Sequence, residues 1–185
     1  MPVVISMLRG VNIGGHNKIK MDALRALYAS LKLRDLQTYV QSGNVVFRTD
    51  ERDLVLLARR IEQAIERKFG FRVPVILRTA SEMQDVIARN PFAGRDEIEP
   101  SKLAVTFLAS RPSDEVLAKV LAVKADPEEL RIDGRELYTY FPNGMARPNL
   151  SWPLVERTLA TPCTGRNWNT VTKLLEMAES REASS

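Results

Sequence analysis

Two hydrophobic periods alternate along the first half of this sequence, and their order leaves few folds open. Val3 to Leu8 is a β-branched apolar run ending at Arg9-Gly10, which predicts a buried strand running into a loop. From Asp22, a candidate helix cap, the residues Leu24, Leu27, Tyr28 and Leu31 recur at helical spacing. Leu36 to Gln41 and Asn44 to Arg48 read as strands joined by the tight turn Ser42-Gly43. Leu54, Leu57, Ala58, Ile61, Ile65 and Phe69 mark one face of a long helix that stops at Gly70, and Val73 to Arg78 is a further strand. The order β, α, β, β, α, β is that of the ferredoxin-like split unit.

The second half restarts this pattern. Ser81 with Gln84 forms a capping box for a helix carrying Met83, Val86 and Ile87, and Asn90-Pro91 ends it. The acidic stretch Gly94 to Pro100 reads as a surface loop and as the boundary between halves. Strand Leu103 to Ala109, a helix from Ser113, strands Glu129 to Ile132 and Glu136 to Phe141 around Asp133-Gly134, and a helix through Leu154, Val155 and Leu159 follow. No sixth element is evident; Val171, Leu174, Leu175 and Ala178 mark a terminal helix instead, and the tail from Arg181 is expected to be disordered. The expected fold class is α+β, with two tandem ferredoxin-like (βαββαβ) halves, the second incomplete, plus a C-terminal helix. Residues 1–93 then hold the first half and a linker helix, 101–180 the second half and the terminal helix, and 181–185 the tail. The halves match in element order alone.

Composition removes several chemistries. A chain of 185 residues with 44% apolar content can build a core. One Cys and one His exclude a disulfide framework, a Cys/His zinc site, a thioredoxin-type pair and a His-pair metallohydrolase. The N-terminal apolar run is too short for a signal peptide, and no stretch approaches the roughly 20 apolar residues of a membrane span. A soluble, cytoplasmic protein with no membrane partner is expected, and the lone Cys163 suits a reducing compartment. The net charge of +4 permits a polyanionic partner without requiring one.

Positive charge is nevertheless gathered. Residues 9–20 hold Arg9, Lys18 and Lys20 without an acid, residues 37–49 hold Arg48, and residues 161–173 hold Arg166 and Lys173, so the remainder is slightly acidic. In the first of these segments Asn12, Gly14 and Gly15 belong to a flexible loop leading into a helix, a candidate anion site because free N–H groups and the helix dipole favour negative charge. His16 and Asn17 stand where a P-loop needs Lys and Ser/Thr, and no GxGxxG is present, so no cofactor is implied. On its own the segment reads as a glycine turn with solvated lysines. Topology adds the hairpin. In a split βαβ unit the loop after the first strand and the turn between the second and third lie at one end of the sheet, so Gln41, Ser42 and Asn44 should neighbour Arg9 to Lys18. Arg166 and Asn167 precede the terminal helix, where Asn169 or Thr170 can cap. The stretch YTYFPNGMARPNL is read as strand aromatics and a turn, with Arg147 alone worth testing.

Four segments, LRGVNIGGHNKIKM, YVQSGNVVF, FPNGMARPNL and TGRNWNTVTKLLEMA, together resemble the uncharacterised bacterial family catalogued as domain of unknown function 1697. The resemblance implies an α+β fold of ferredoxin-like halves and brings no activity. After PNG the family tends towards Gly-Arg-Ser-Lys, whereas Ala146, Pro148 and Asn149 flank Arg147 here, which weakens any role for a Ser or Lys in this turn.

The leading expectation is binding of a phosphate-bearing or nucleotide-like anion by Arg9, Asn12, Gly14, Gly15, Lys18, Gln41, Ser42 and Asn44, joined by Arg166 and Asn167. These loops carry no carboxylate, hence no evident Mg²⁺ ligand or carboxylate base. RNA or DNA binding is the rival reading, disfavoured because VVFRT offers only Phe47 and no RNP1 pattern. A protein-interaction module pairing through a sheet edge is the third. No reaction is assigned.

Overall fold

The computed structural model describes residues 1–184, which divide into two compact units, Met1–Asp85 with the chain from Lys173 onward, and Val86–Thr172. Each unit contains one four-stranded antiparallel sheet, and six α-helices complete the α+β protein among the described residues. None of these helices is long and apolar enough to cross a membrane.

In the first unit β1 (Val3–Leu8) lies between β3 (Asn44–Arg48) and β4 (Val75–Thr79), with β2 (Arg34–Tyr39) on the outer side of β3. Alternation sends Val4, Ser6 and Leu8 of β1 to one face, where Val45, Phe47, Val75 and Leu77 join them in a core closed by α1 (Met21–Ser30) and α2 (Leu54–Phe69). Within this core the Tyr28 hydroxyl and Ser6 Oγ form a 2.7 Å hydrogen bond, and the Tyr28 ring meets Phe47 edge to face at 5.7 Å. The opposite face, with Val3, Ile5 and Met7, is buried as well. At its Arg48 edge the end of α6 (Trp168–Ala183) is fastened, because Arg48 Nη2 donates to the Arg181 carbonyl and Arg181 Nε donates to the Asp35 carbonyl at 2.9 Å.

The second unit holds β5 (Leu103–Leu108), α4 (Asp114–Leu121), β6 (Glu129–Asp133), β7 (Glu136–Tyr140), α5 (Trp152–Leu159) and β8 (Cys163–Asn167). Its strand order, β6-β7-β5-β8, repeats the β2-β3-β1-β4 of the first. This corrects the expectation of an incomplete half. β8 is the missing element, and CTGRN escapes detection because a Thr, a Gly and an Arg break its apolar alternation; pairing with β5, not composition, makes it a strand.

The registers also coincide. Val3 opposes Arg48 as Leu103 opposes Tyr140, and Ile5 opposes Arg78 as Val105 opposes Arg166. Hence Arg78 and Arg166, both buried, occupy one position of a repeat, and each donates through Nη1 to the carbonyl of the residue before it. Asn44 and Glu136, both buried, occupy another. The strands therefore correspond position by position, although most paired positions carry different residues, as Asn44 and Glu136 do, so in sequence the match remains one of element order.

Several local expectations shift. Lys20, not Asp22, stands at the N-cap of α1, and Asp22 pairs with Arg25. The hairpin loop spans residues 40–43 and puts Val40 as well as Gly43 at positive φ. The capping box of α3 (Ala80–Ala88) is Thr79 with Glu82, Thr79 N donating to Glu82 Oε2 at 2.8 Å and Glu82 N to Thr79 Oγ1 at 3.1 Å, so it falls two residues before the Ser81–Gln84 pair. Asn167, not Asn169 or Thr170, caps α6, its Oδ1 accepting from Asn169 N at 2.9 Å. α6 runs on through Ala183, so residues 181–183 of the expected disordered tail are helical, while Ser185 lies outside the described residues. From Lys173 this helix belongs to the first unit, whereas the sequence pattern grouped it with the second.

Candidate functional site

The motif segments lead to two places, one in each unit, with the fourth segment passing from the second unit into the first at Lys173. In the first, β1 releases the chain at Leu8, whose N–H donates to the Gly43 carbonyl at 2.9 Å, so the loop and the hairpin turn do meet. The loop then folds into a small hairpin of its own. Gly14 and Gly15 at φ of 57° and 79° turn the chain, closed by His16 N donating to the Ile13 carbonyl at 2.9 Å. Asn12 Nδ2 donates to the carbonyls of Ile19, at 2.9 Å, and of Gln41, at 2.7 Å, while its Oδ1 accepts from Ile19 N at 2.9 Å. These bonds occupy both amide protons and the carbonyl oxygen. Asn12 is thus a clip between loop and hairpin, where ligand contact was expected of it. Asn44 corrects in the same way: it is buried, and its Nδ2 donates to the Tyr39 carbonyl at 3.0 Å and to Ser42 Oγ at 2.9 Å.

What remains open to solvent is Lys18, Lys20, Gln41 and the glycine turn, with Arg9 and Ser42 half-buried. Beside them lies a cleft of about 470 Å³ between the start of α1 and the end of β2, lined by Lys20, Asp22, Arg25, Thr38 and Gln41 among others. Arg25 Nη1 reaches Thr38 Oγ1 across it, and its other nitrogen pairs with Asp22. The N-cap Lys20 makes no side-chain bond to the first turn of α1. Arg25 and Thr38 were missed because their types and spacing are ordinary for a helix and a strand; only the approach of α1 to β2 joins them.

The other basic residues do not add to this cleft. Arg48 pairs with Asp35 at 2.9 Å, Lys173 with Glu176 at 2.9 Å, and Arg166 and Asn167 lie in β8 of the second unit. Arg166 is 8% exposed, donates from Nη1 to Thr164 Oγ1 at 2.7 Å, and burial pushes its pKa down to about 10. Asn167 Nδ2 donates to the Ser101 carbonyl at 3.1 Å.

The second place is a cavity of about 380 Å³ on the helix side of the second sheet. Ala104, Thr106, Thr139 and Gly165 form its floor, on three adjacent strands. Phe141, Leu150 and Trp152 form walls, and Met145 and Pro148 of the turn after β7 close one side. The repeat explains why it is hollow. By register Ala104, Thr139 and Gly165 stand where the first unit has Val4, Phe47 and Leu77, all buried in its core. A buried side chain of that size contributes roughly 1.5–3 kcal/mol, so the second unit forgoes several kcal/mol of packing at this spot. Strand alternation turns the Arg166 guanidinium to the opposite face, with Thr164.

Two four-stranded antiparallel sheets, each with its own packed helices, place the molecule among α+β proteins of duplicated element order. The chain belongs to the family described as protein of unknown function (DUF1697), whose model matches residues 1–138, a span that includes the first two motif segments and ends before the last two. It is also similar to a solved structure described as that of conserved bacterial protein SP0830 from Streptococcus pneumoniae, with 21% identity, coverage of 96% of this chain and 98% of that one, and a TM-score of 0.72. At that identity the likeness concerns the fold. No curated protein matches.

Proposed function

We propose that the first unit binds a small phosphate-bearing anion in the cleft between α1 and the hairpin, with Lys18 and Lys20 supplying charge, Arg25 shared between the anion and Asp22, and Gln41 supplying hydrogen bonds. The observation that carries this reading is the start of α1, whose N-cap side chain leaves the first-turn N–H groups open while the cleft and Lys20 sit beside them. Helix amides and dipole together favour an anion there. Arg9, Gly14, Gly15 and Ser42 belong to the same loop and hairpin and are not among the residues lining the cleft; Asn12 holds these two segments together and Asn44 the hairpin turn itself. Arg166 and Asn167 are left out of this site. We also read each unit as a ferredoxin-like split unit, supported by the βαββαβ order and the β2-β3-β1-β4 arrangement, and place the protein in a reducing, cytoplasmic compartment, supported by a single buried cysteine.

The test is calorimetric titration with inorganic phosphate, pyrophosphate and ATP at low and moderate salt. Binding of at least one, weakened about tenfold or more in Lys18→Ala/Lys20→Ala, is the expected result, since each charge-assisted bond contributes about 1.5–3 kcal/mol. Absence of binding by all three, or affinity indifferent to both lysines, overturns the reading. A steep fall with salt for oligonucleotides but not ATP would favour the nucleic-acid alternative.

A further inference from the structure

The motif segments 141–150 and 164–167 take no part in the anion site, yet both line the cavity of the second unit. Three features define what it would hold. Arg166 is the one ionisable residue of its lining, and strand alternation carries that side chain to the other face of the sheet, where its Nη1 donates to Thr164 Oγ1. Phe141 and Trp152 offer aromatic surface and Met145 a thioether, a combination that favours flat conjugated rings. Thr139 is 1% exposed, lies on the cavity floor, and its Oγ1 has no hydrogen-bond partner. Buried hydroxyls are satisfied in the large majority of cases, so an orphan just beneath a cavity floor, brought to its surface by rotation about χ1, marks a place for a polar atom of a guest. The volume of about 380 Å³ sits within the ordinary range of ligand pockets, roughly 300–1,000 Å³, and exceeds the cavity of about 150 Å³ that accepts benzene in an engineered protein.

We propose that this cavity is a binding site for a neutral aromatic molecule of about two fused rings bearing one hydroxyl or carbonyl group, its rings against Phe141 and Trp152 and its polar atom on Thr139 Oγ1. The first unit supplies the comparison: at the same register Phe47 and Leu77 fill the space, and the Ser6 hydroxyl has Tyr28 as its partner. The second unit keeps the strands and leaves out the filling. This site is independent of the anion cleft.

The full chain is titrated with 2-naphthol and with naphthalene, followed by ligand-observed NMR and thermal shift. Both are expected to compete for one site, with 2-naphthol about two- to tenfold tighter through one neutral hydrogen bond. Thr139→Val should erase that preference and leave naphthalene unaffected. Gly165→Leu, which installs the residue of the first unit, should abolish both. Should that variant fail to fold by circular dichroism, Ala104→Val on the adjacent strand is used for the same purpose. Failure of either compound to bind the unaltered protein up to its solubility, an unchanged preference in Thr139→Val, or unchanged binding in the folded cavity-filling variant overturns the proposal.

Discussion

A Cβ on Gly43 would lie 2.7 Å from Val11 Cγ2 and 2.9 Å from Leu8 Cβ, with φ at +81°. Neither neighbour is the loose end of a flexible side chain, so the hairpin approaches the first loop this closely only with glycine. Gly43→Ala should cost about 2 kcal/mol or more, read as a lower urea midpoint at unchanged slope. Tyr28 gives a second prediction. Its burial holds the phenol protonated well above its ordinary range, against a smaller lowering from Ser6. In the unfolded chain it ionises near pH 10, so above that pH the folded state binds more protons and stability falls as pH rises. Urea melts at pH 8 and 10.5 should show this loss, reduced in Tyr28→Phe. At pH 8 the same variant should cost about 1–3 kcal/mol by orphaning the Ser6 hydroxyl, and Ser6→Ala/Tyr28→Phe should recover part of it.

At the scale of elements, the loop and hairpin behave as one piece because Asn12 is shared between them. Asn12→Ala removes three hydrogen bonds and should cost about 1–3 kcal/mol, with hydrogen exchange rising across residues 9–19 and 40–44 ahead of the sheet. If protection of these segments is unchanged, Asn12 is not the clip. The neighbourhood of these two segments was legible from element order, since antiparallel pairing of β1 and β2 to β3 forces their ends together. The duties of the asparagines were not. Asn12 and Asn44 look like loop donors in sequence, and only the position of the Gln41 and Tyr39 carbonyls commits their amides. The helix caps were misplaced for a related reason: Ser81 and Gln84 have the right spacing, but Thr79 and Glu82 sit where the strand actually ends.

For the whole molecule, α6 is the informative part. Leu174, Met177 and Ala178 are buried and belong to the first unit, although the sequence delivers them after the last strand of the second. A chain ending at Thr172 should lose about 3–6 kcal/mol of stability, from the area those side chains bury, with hydrogen exchange rising in β1 and β3 more than in β5 and β7. Equal loosening of both sheets would contradict the division. Hydrophobic period and turn chemistry are local, so they were enough to specify the type and order of nearly every element, the α+β class and the meeting of the first loop with the hairpin. Whatever depended on partners distant in the chain was decided by the tertiary structure. That holds for the strand character of CTGRN, which comes from pairing with β5, for the burial of Arg166, and for the split allegiance of α6. It holds also for the hollow under Thr139, which exists because small residues on three separate strands come into register.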